Sequence, residues 1–175
     1  MRKKIISFII LNFICLIFTS TVKASTADNS ITTSFKGEEE VVQIFNASKG
    51  TIYVNNSDIA LMAKVVFAES RGEPYDGKVA VASVILNRCY SQGFPKSIRE
   101  VIFQRSAFSC VINNQIPGNP DESCYNAVLD ALNGSDPTNN ALFYYNPKIS
   151  TCNWMKDINK NNIKTIGNHV FFIVE

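Results

Sequence analysis

The sequence predicts an α+β fold that is mainly helical and carries a small β-sheet. Three observations support that class. A cluster of N-cap residue types, Asn55-Asn56-Ser57-Asp58, opens an apolar pattern with helical spacing. A second segment, near residues 77–92, is apolar around most of its circumference from Val79 to Leu86. The period then changes toward the C-terminus, where Ala141 to Tyr145 and Val170 to Val174 have the content of buried strands.

Taken in order, residues 1–24 begin with Arg2-Lys3-Lys4, continue through an apolar run from Ile5 to Phe18 and end in Val22-Lys23-Ala24, as a secretory signal peptide does. An uncleaved membrane anchor fits less well, because the run is short and interrupted by Ser7 and Asn12. The mature chain is expected to start near Ser25, exported and without a permanent membrane anchor. The signal segment also explains the charge. The whole chain has 17 basic and 15 acidic residues, but Arg2, Lys3, Lys4 and Lys23 lie in the first 24, leaving 13 basic against 15 acidic. The basic character is thus an export signal and no nucleic-acid footprint. About 150 residues remain, enough for one domain with its own core.

Residues 25–40 are polar, end in Glu38-Glu39-Glu40 and read as a mobile arm. Val41 to Phe45 and Thr51 to Val54 flank Asn46-Ala47-Ser48-Lys49-Gly50 and read as a hairpin, so residues 25–57 form an arm and hairpin ahead of a core spanning 58–175. The first core helix follows. Met62, Val65, Val66 and Glu69 recur at spacings of three and four and share a face. The second helix, residues 77–92, is expected to be central and buried, ended by Gly93. Asn87 and Arg88 interrupt its apolar run; they either cap and solvate its last turn or line the same cleft as Glu69. Two more helices are predicted at 97–104 and 121–133, the latter followed by Gly134.

Cys15 leaves with the signal segment. Cys89, Cys110, Cys124 and Cys152 remain, an even number that permits two disulfides but equally fits packed thiols. No CxxC pair exists, and their spacing argues against a zinc site. GxSxG, HExxH, P-loop and GxGxxG motifs are all missing. A cysteine peptidase would need the single histidine, His169, as its base, and no cysteine lies in a recognisable nucleophile context.

Glu69 stands out because it closes an apolar helix face. A carboxyl group so placed loses hydration, which favours its protonated form, the condition a general acid requires. The competing reading is a structural pair with Arg71 or Lys64 at a frayed helix end.

Four segments in one order, "LMAKVVFAESRGEPYDGKVAVASVILNR", "FPKSIREVIFQRSAFS", "DPTNNALFYYNP" and "IGNHVFF", resemble the catalytic domain of the spore cortex-lytic cell wall hydrolases of the SleB and CwlJ type over roughly residues 58–173. The resemblance implies a lysozyme-like or lytic-transglycosylase-like helical core with a small sheet. It also implies a peptidoglycan glycosidase in which the glutamate of "AESRGEP", here Glu69, is the catalytic acid. An acid acting alone through Glu69 requires no Lewis acid, so no cofactor and no metal are expected for the chemistry. In the SleB type that glutamate protonates the glycosidic oxygen and then helps the muramyl 6-hydroxyl attack its own anomeric carbon, leaving a 1,6-anhydromuramyl end.

The acids available fit a single-carboxylate mechanism, since an ordinary retaining or inverting glycosidase needs two at set separations. Glu73 follows Gly72, precedes Pro74 and reads as a solvated loop carboxylate; it is kept as a substrate contact and as the reserve second acid, ahead of Asp121, Glu122 and Asp136. Further candidates for holding sugar are Asn87, Gln115 with Asn113 in "INNQIPGN", Tyr144 and Tyr145, of which strand alternation turns one inward and one outward, and Trp154. His169 reads as a packed strand-end histidine. The SleB type usually adds an N-terminal peptidoglycan-binding module, for which residues 25–57 are too short, while the CwlJ type generally lacks an export signal. Substrate capture is therefore expected to rest on the cleft itself or on an accessory protein.

Overall fold

The computed structural model describes residues 31–34, 41–46 and 49–174. The expected signal peptide, residues 1–24, lies outside the described residues. Strands β1 (Ile31–Ser34), β2 (Val41–Asn46) and β3 (Gly50–Asn55) form an antiparallel sheet in the order β1-β2-β3. Gln43 pairs with Tyr53 and Ile44 with Ile52 across the β2–β3 hairpin. The arm expected over residues 25–40 thus contains a strand.

Helix α1 (Asn56–Glu69) starts directly from β3. The cap cluster makes a full capping box: Asn55 Oδ1 accepts from Asp58 N at 2.8 Å, and Asn55 N donates to Asp58 Oδ2 at 3.2 Å. Met62, Ala63, Val65 and Val66 are fully buried. Helix α2 (Tyr75–Tyr90) is buried continuously from Val79 to Cys89 and is the central element. It begins two residues earlier than the apolar pattern indicates because Pro74, whose fixed φ suits a helix entrance, serves as its N-cap. Helices α3 (Ile98–Phe103) and α4 (Glu122–Leu132) pack against it, each capped by the side chain of the preceding residue, Ser97 and Asp121.

The C-terminal part holds β4 (Phe143–Tyr145), the short α5 (Asn153–Asp157), β5 (Lys160–Ile166) and β6 (His169–Val174). The sheet order is β4-β6-β5, antiparallel throughout, with Tyr144 opposite Phe171 and Ile166 opposite His169. Sequence patterning finds β4 and β6 but not β5, whose sequence KNNIKTI is almost wholly exposed on the sheet edge. Small residues one turn apart on α2, Ala80 and Val84, meet Phe171 and Ala141, so α2 lies between the helical core and this sheet. Cys89, Cys110, Cys124 and Cys152 are all free thiols. Among the described residues no helix is long and apolar enough to cross a membrane.

The capping box gives a first prediction. Asn55→Ala removes a cap whose loss costs about 1 kcal/mol, so the melting temperature falls by about 2–8 °C. A thermal melt that superimposes on the parent's would show that the β3–α1 junction is held by the sheet alone.

Candidate active site

Glu69 is the last residue of α1 and opens, half-buried, onto a cleft of about 630 Å³. The C-terminal end of a helix is the negative end of its dipole, an unfavourable place for a carboxylate. Three donors from two distant segments offset it. Glu69 Oε1 accepts from Ser109 Oγ at 2.9 Å and from the backbone N–H of Cys110 at 2.9 Å; Oε2 accepts from the Tyr144 hydroxyl at 3.2 Å. Neither Arg71 nor Lys64 forms an ion pair with it among the described residues. Arg71 instead stacks its guanidinium on the Phe67 ring at 5.3 Å.

Burial pushes the Tyr144 phenol well above its usual pKa, and the nearby Glu69 charge adds to that, so the hydroxyl remains a donor. Burial, again reinforced by Glu69, pushes the Cys110 thiol up to about 12. Burial alone is the main cause for Cys89, also raised to about 12. Neither thiol is poised as a nucleophile, and no hydrogen bond joins any cysteine to His169 among the described residues.

Arg88 fills neither of the roles expected for it. It is buried behind the cleft, with its guanidinium against the rings of Phe94, Phe108 and Phe143. Its Nε donates to Leu142 O at 2.8 Å and its Nη1 to Ala107 O at 3.4 Å. Those carbonyls lie two residues before Tyr144 and Ser109, so one side chain of α2 ties down both segments that reach Glu69. Burial lowers its pKa, and Tyr144 and Glu69 oppose that shift.

Glu73 is not the solvated loop carboxylate that its Gly72 and Pro74 neighbours indicate. Its side chain is only 5% exposed. Oε2 accepts from Asn168 N at 2.8 Å and Oε1 from Asn168 Nδ2 at 3.1 Å, at the β5–β6 turn. Gly167, with φ +57°, leaves room for it: a Cβ there would stand 1.9 Å from Glu73 Oε2. His169, the first residue of β6, is buried, lines the cleft and stands edge-on to the Tyr144 ring at 5.2 Å. Burial lowers its pKa, with Glu73 and Glu69 acting in the opposite sense.

Both tyrosines line the cleft, rather than one of them. Tyr144 packs on Phe171 at 5.4 Å, and Tyr145 occupies the opposite face of β4 against Phe172 at 5.9 Å. The remaining candidates lie elsewhere. Asn87 donates to Asp136 Oδ2 at 2.9 Å and to Ala141 O at 3.2 Å, and accepts from Lys49 Nζ at 2.8 Å, in a separate small cavity under the β2–β3 hairpin. Asp136 shares that cavity, held by Thr138 and Asn140. Gln115 and Asn113 are exposed on a tight turn, and Trp154, 46% exposed, packs in a T-shaped arrangement with Phe143 outside the cleft lining. Asp121 and Glu122 are exposed at the start of α4. Glu69 is therefore the only carboxylate lining the cleft among the described residues. Patterning missed Ser109, Cys110 and the Gly167-Asn168 turn, whose roles are set by contacts across 40 residues or more.

The Cell Wall Hydrolase family matches residues 72–172. The spore cortex-lytic enzyme of Bacillus cereus is 46% identical over 160 residues, covering 86% of this chain and 61% of that protein. That of Bacillus subtilis is 49% identical over 117 residues, covering 67% of this chain and 38% of that protein. The chain thus spans about three fifths or less of the length of these curated relatives. Among solved structures, the catalytic domain of the Bacillus cereus SleB protein superposes with a TM-score of 0.59 at 52% identity, over 66% of this chain and 89% of that one. The catalytic domain of the germination-specific lytic transglycosylase SleB from Bacillus anthracis gives 0.63 at 49% identity, over 69% and 97%.

The clamp made by Arg88 is testable. Arg88→Met orphans two carbonyls and removes the charge stacked on three rings, so urea denaturation should show a loss of about 3 kcal/mol. An unchanged midpoint would mean that the two segments hold their positions without it.

Proposed function

The chain belongs to the Cell Wall Hydrolase family, and on that premise we propose that it is an exported enzyme that cleaves the glycosidic bonds of peptidoglycan by lytic transglycosylation. Its substrate is the glycan strand, at the bond between N-acetylmuramic acid and N-acetylglucosamine, in spore cortex or cell wall. Spore germination is the process in which it acts. The observation that carries this reading is Glu69, the single carboxylate on the cleft among the described residues, with donors on both oxygens.

Hydrolysis with two carboxyl groups needs a partner across the bond, about 5–9.5 Å away. Glu73 is sealed against Asn168, and Asp136 lies in another cavity. A mechanism in which the substrate supplies its own nucleophile needs only one. Oε1 already accepts two hydrogen bonds and Oε2 one, so Oε2 has the freer lone pair and is the oxygen that carries the proton. It gives that proton to the glycosidic oxygen as the bond breaks. The carboxylate left behind, held by Ser109, Cys110 N–H and Tyr144, then takes the proton of the muramyl 6-hydroxyl as that oxygen closes on the anomeric carbon. Proton transfer of this kind requires no cofactor or metal. Tyr145, Asn146 and Ser150 offer ring and hydrogen-bonding surface for sugars along the cleft. Ser25 is the proposed start of the exported form, with location in the wall, cortex or medium. A noncatalytic wall-binding or germination accessory protein with the same fold is the competing reading, and an acid set in three hydrogen bonds speaks against it.

Mass spectrometry of muropeptides released from cortex and vegetative peptidoglycan tests the reaction class. Anhydromuramyl ends from the parent and none from Glu69→Gln are expected; reducing ends would mean attack by water. Tyr144→Phe, which deletes the donor to Oε2, should keep its fold by circular dichroism and lose about tenfold in turnover. Full turnover in that variant would take the phenol out of the mechanism.

A further inference from the structure

His169 Nδ1 is the one side-chain nitrogen or oxygen, among the described residues, that is sealed from solvent without a hydrogen-bond partner. It stands 4.0 Å from Glu73 Oε1. A buried polar atom without a partner is costly and calls for a reason. Structural packing alone does not supply one, because the pocket around Glu73 is built to tight tolerance. Gly167 admits the carboxyl group, and Asn168 fixes both of its oxygens with two donors. The ring is held in turn by Tyr144 and Phe171, with centroids at 5.2 and 6.0 Å. The same imidazole lines the cleft that Glu69 opens onto.

We propose that Glu73 and His169 form a fixed hydrogen-bond acceptor on the cleft wall: Glu73 holds the imidazole proton on Nδ1, which leaves the Nε2 lone pair to accept from an O–H or N–H group of a bound amino sugar. The inference rests on the reading of the cleft as a glycan site. Its physical basis is the placement of Nδ1 opposite an acceptor. A lone pair on Nδ1 is repelled by a carboxyl oxygen 4.0 Å away, whereas an N–H there is attracted, so the proton resides on the Glu73 side and Nε2 is left as the acceptor. Glu73 is then a positioning residue, and His169 the group that meets the sugar.

Burial keeps the ring uncharged near neutral pH by lowering its pKa from 6.5. The titratable groups facing it are Glu73 from the α1–α2 loop, Glu69 from α1 and Tyr144 from β4; Lys148 reaches the neighbouring Asn168 Oδ1 at 3.2 Å. Acidification protonates Nε2 and removes the acceptor, so binding of substrate weakens on the acid side.

His169 is the single histidine of the chain, which makes the test direct. Nitrogen NMR of the 15N-labelled full chain at neutral pH should show one neutral imidazole with its proton on Nδ1. A proton on Nε2, or a charged ring, overturns the proposal whatever the enzyme's activity. Kinetics on peptidoglycan supply the second arm. His169→Gln, whose side-chain carbonyl accepts, should stay within a few fold of the parent in kcat/KM, while His169→Leu should lose about tenfold or more. The acid limb due to His169 should also be missing from the His169→Gln profile. Equal losses in the two variants overturn the acceptor role. A parent that releases no muropeptides would defeat the glycosidase reading instead, and the tautomer result would still decide the pairing of Glu73 with His169.

Discussion

A carboxyl group at the wrong end of a helix dipole is the constraint around which this structure is arranged. Glu69 cannot be stabilised by its own helix, so its donors come from elsewhere: Ser109 and Cys110 after α3, and Tyr144 on β4. Those donors are useful only if both segments are fixed, and Arg88 fixes them through one carbonyl in each. Because Arg88 belongs to the central helix, the acid, its donors and the core form one mechanical unit. The aromatic rings around the guanidinium exclude water from that junction and make its two hydrogen bonds stronger than they would be at the surface.

Glu73, four residues later and past the end of α1, likewise takes its donors from far along the chain. Its surroundings come from the β5–β6 turn, 95 residues away, where glycine, asparagine and histidine each contribute something different: room, two donors and a facing ring. The two halves of the "AESRGEP" segment therefore serve separate purposes. Glu69 faces the cleft and Glu73 faces away from solvent, although four residues of spacing in a continuous helix would have put them on one side. The break at Gly72, φ +75°, is what lets them diverge.

Helices α1 to α4 were legible in the sequence because their signals are local, whereas the five-residue α5, with no side-chain cap, was not. Asn55, Ser97 and Asp121 each announce a start with a side chain that caps the helix that follows. Glu69 was legible for the same reason, since its place on an apolar face follows from helical spacing. Glu73, Asn87 and Arg88 were not, because what decides them is a partner far along the chain: Asn168, Asp136 with Lys49, and the carbonyls of residues 107 and 142. Local context misdirected in the case of Glu73, where Gly72 and Pro74 are true turn residues and say nothing about what lands on the turn. Strand β5 was hidden for a different reason. Its polar sequence pairs through the backbone with β6, and backbone pairing leaves no hydrophobic pattern to read.

The wide sequence separation of these contacts has a consequence for the order of folding. The helical core from α1 to α4 is built from elements adjacent in the chain, whereas the setting of Glu69 and Glu73 needs residues 144 and 168. Contacts that close long loops form late. An emerging or partly refolded chain accordingly possesses Glu69 before it possesses the full set of donors that surrounds that carboxyl group. The sheet of β4, β5 and β6 thus completes the surroundings of Glu69 and Glu73, which wait on the arrival of residues 144 and 168.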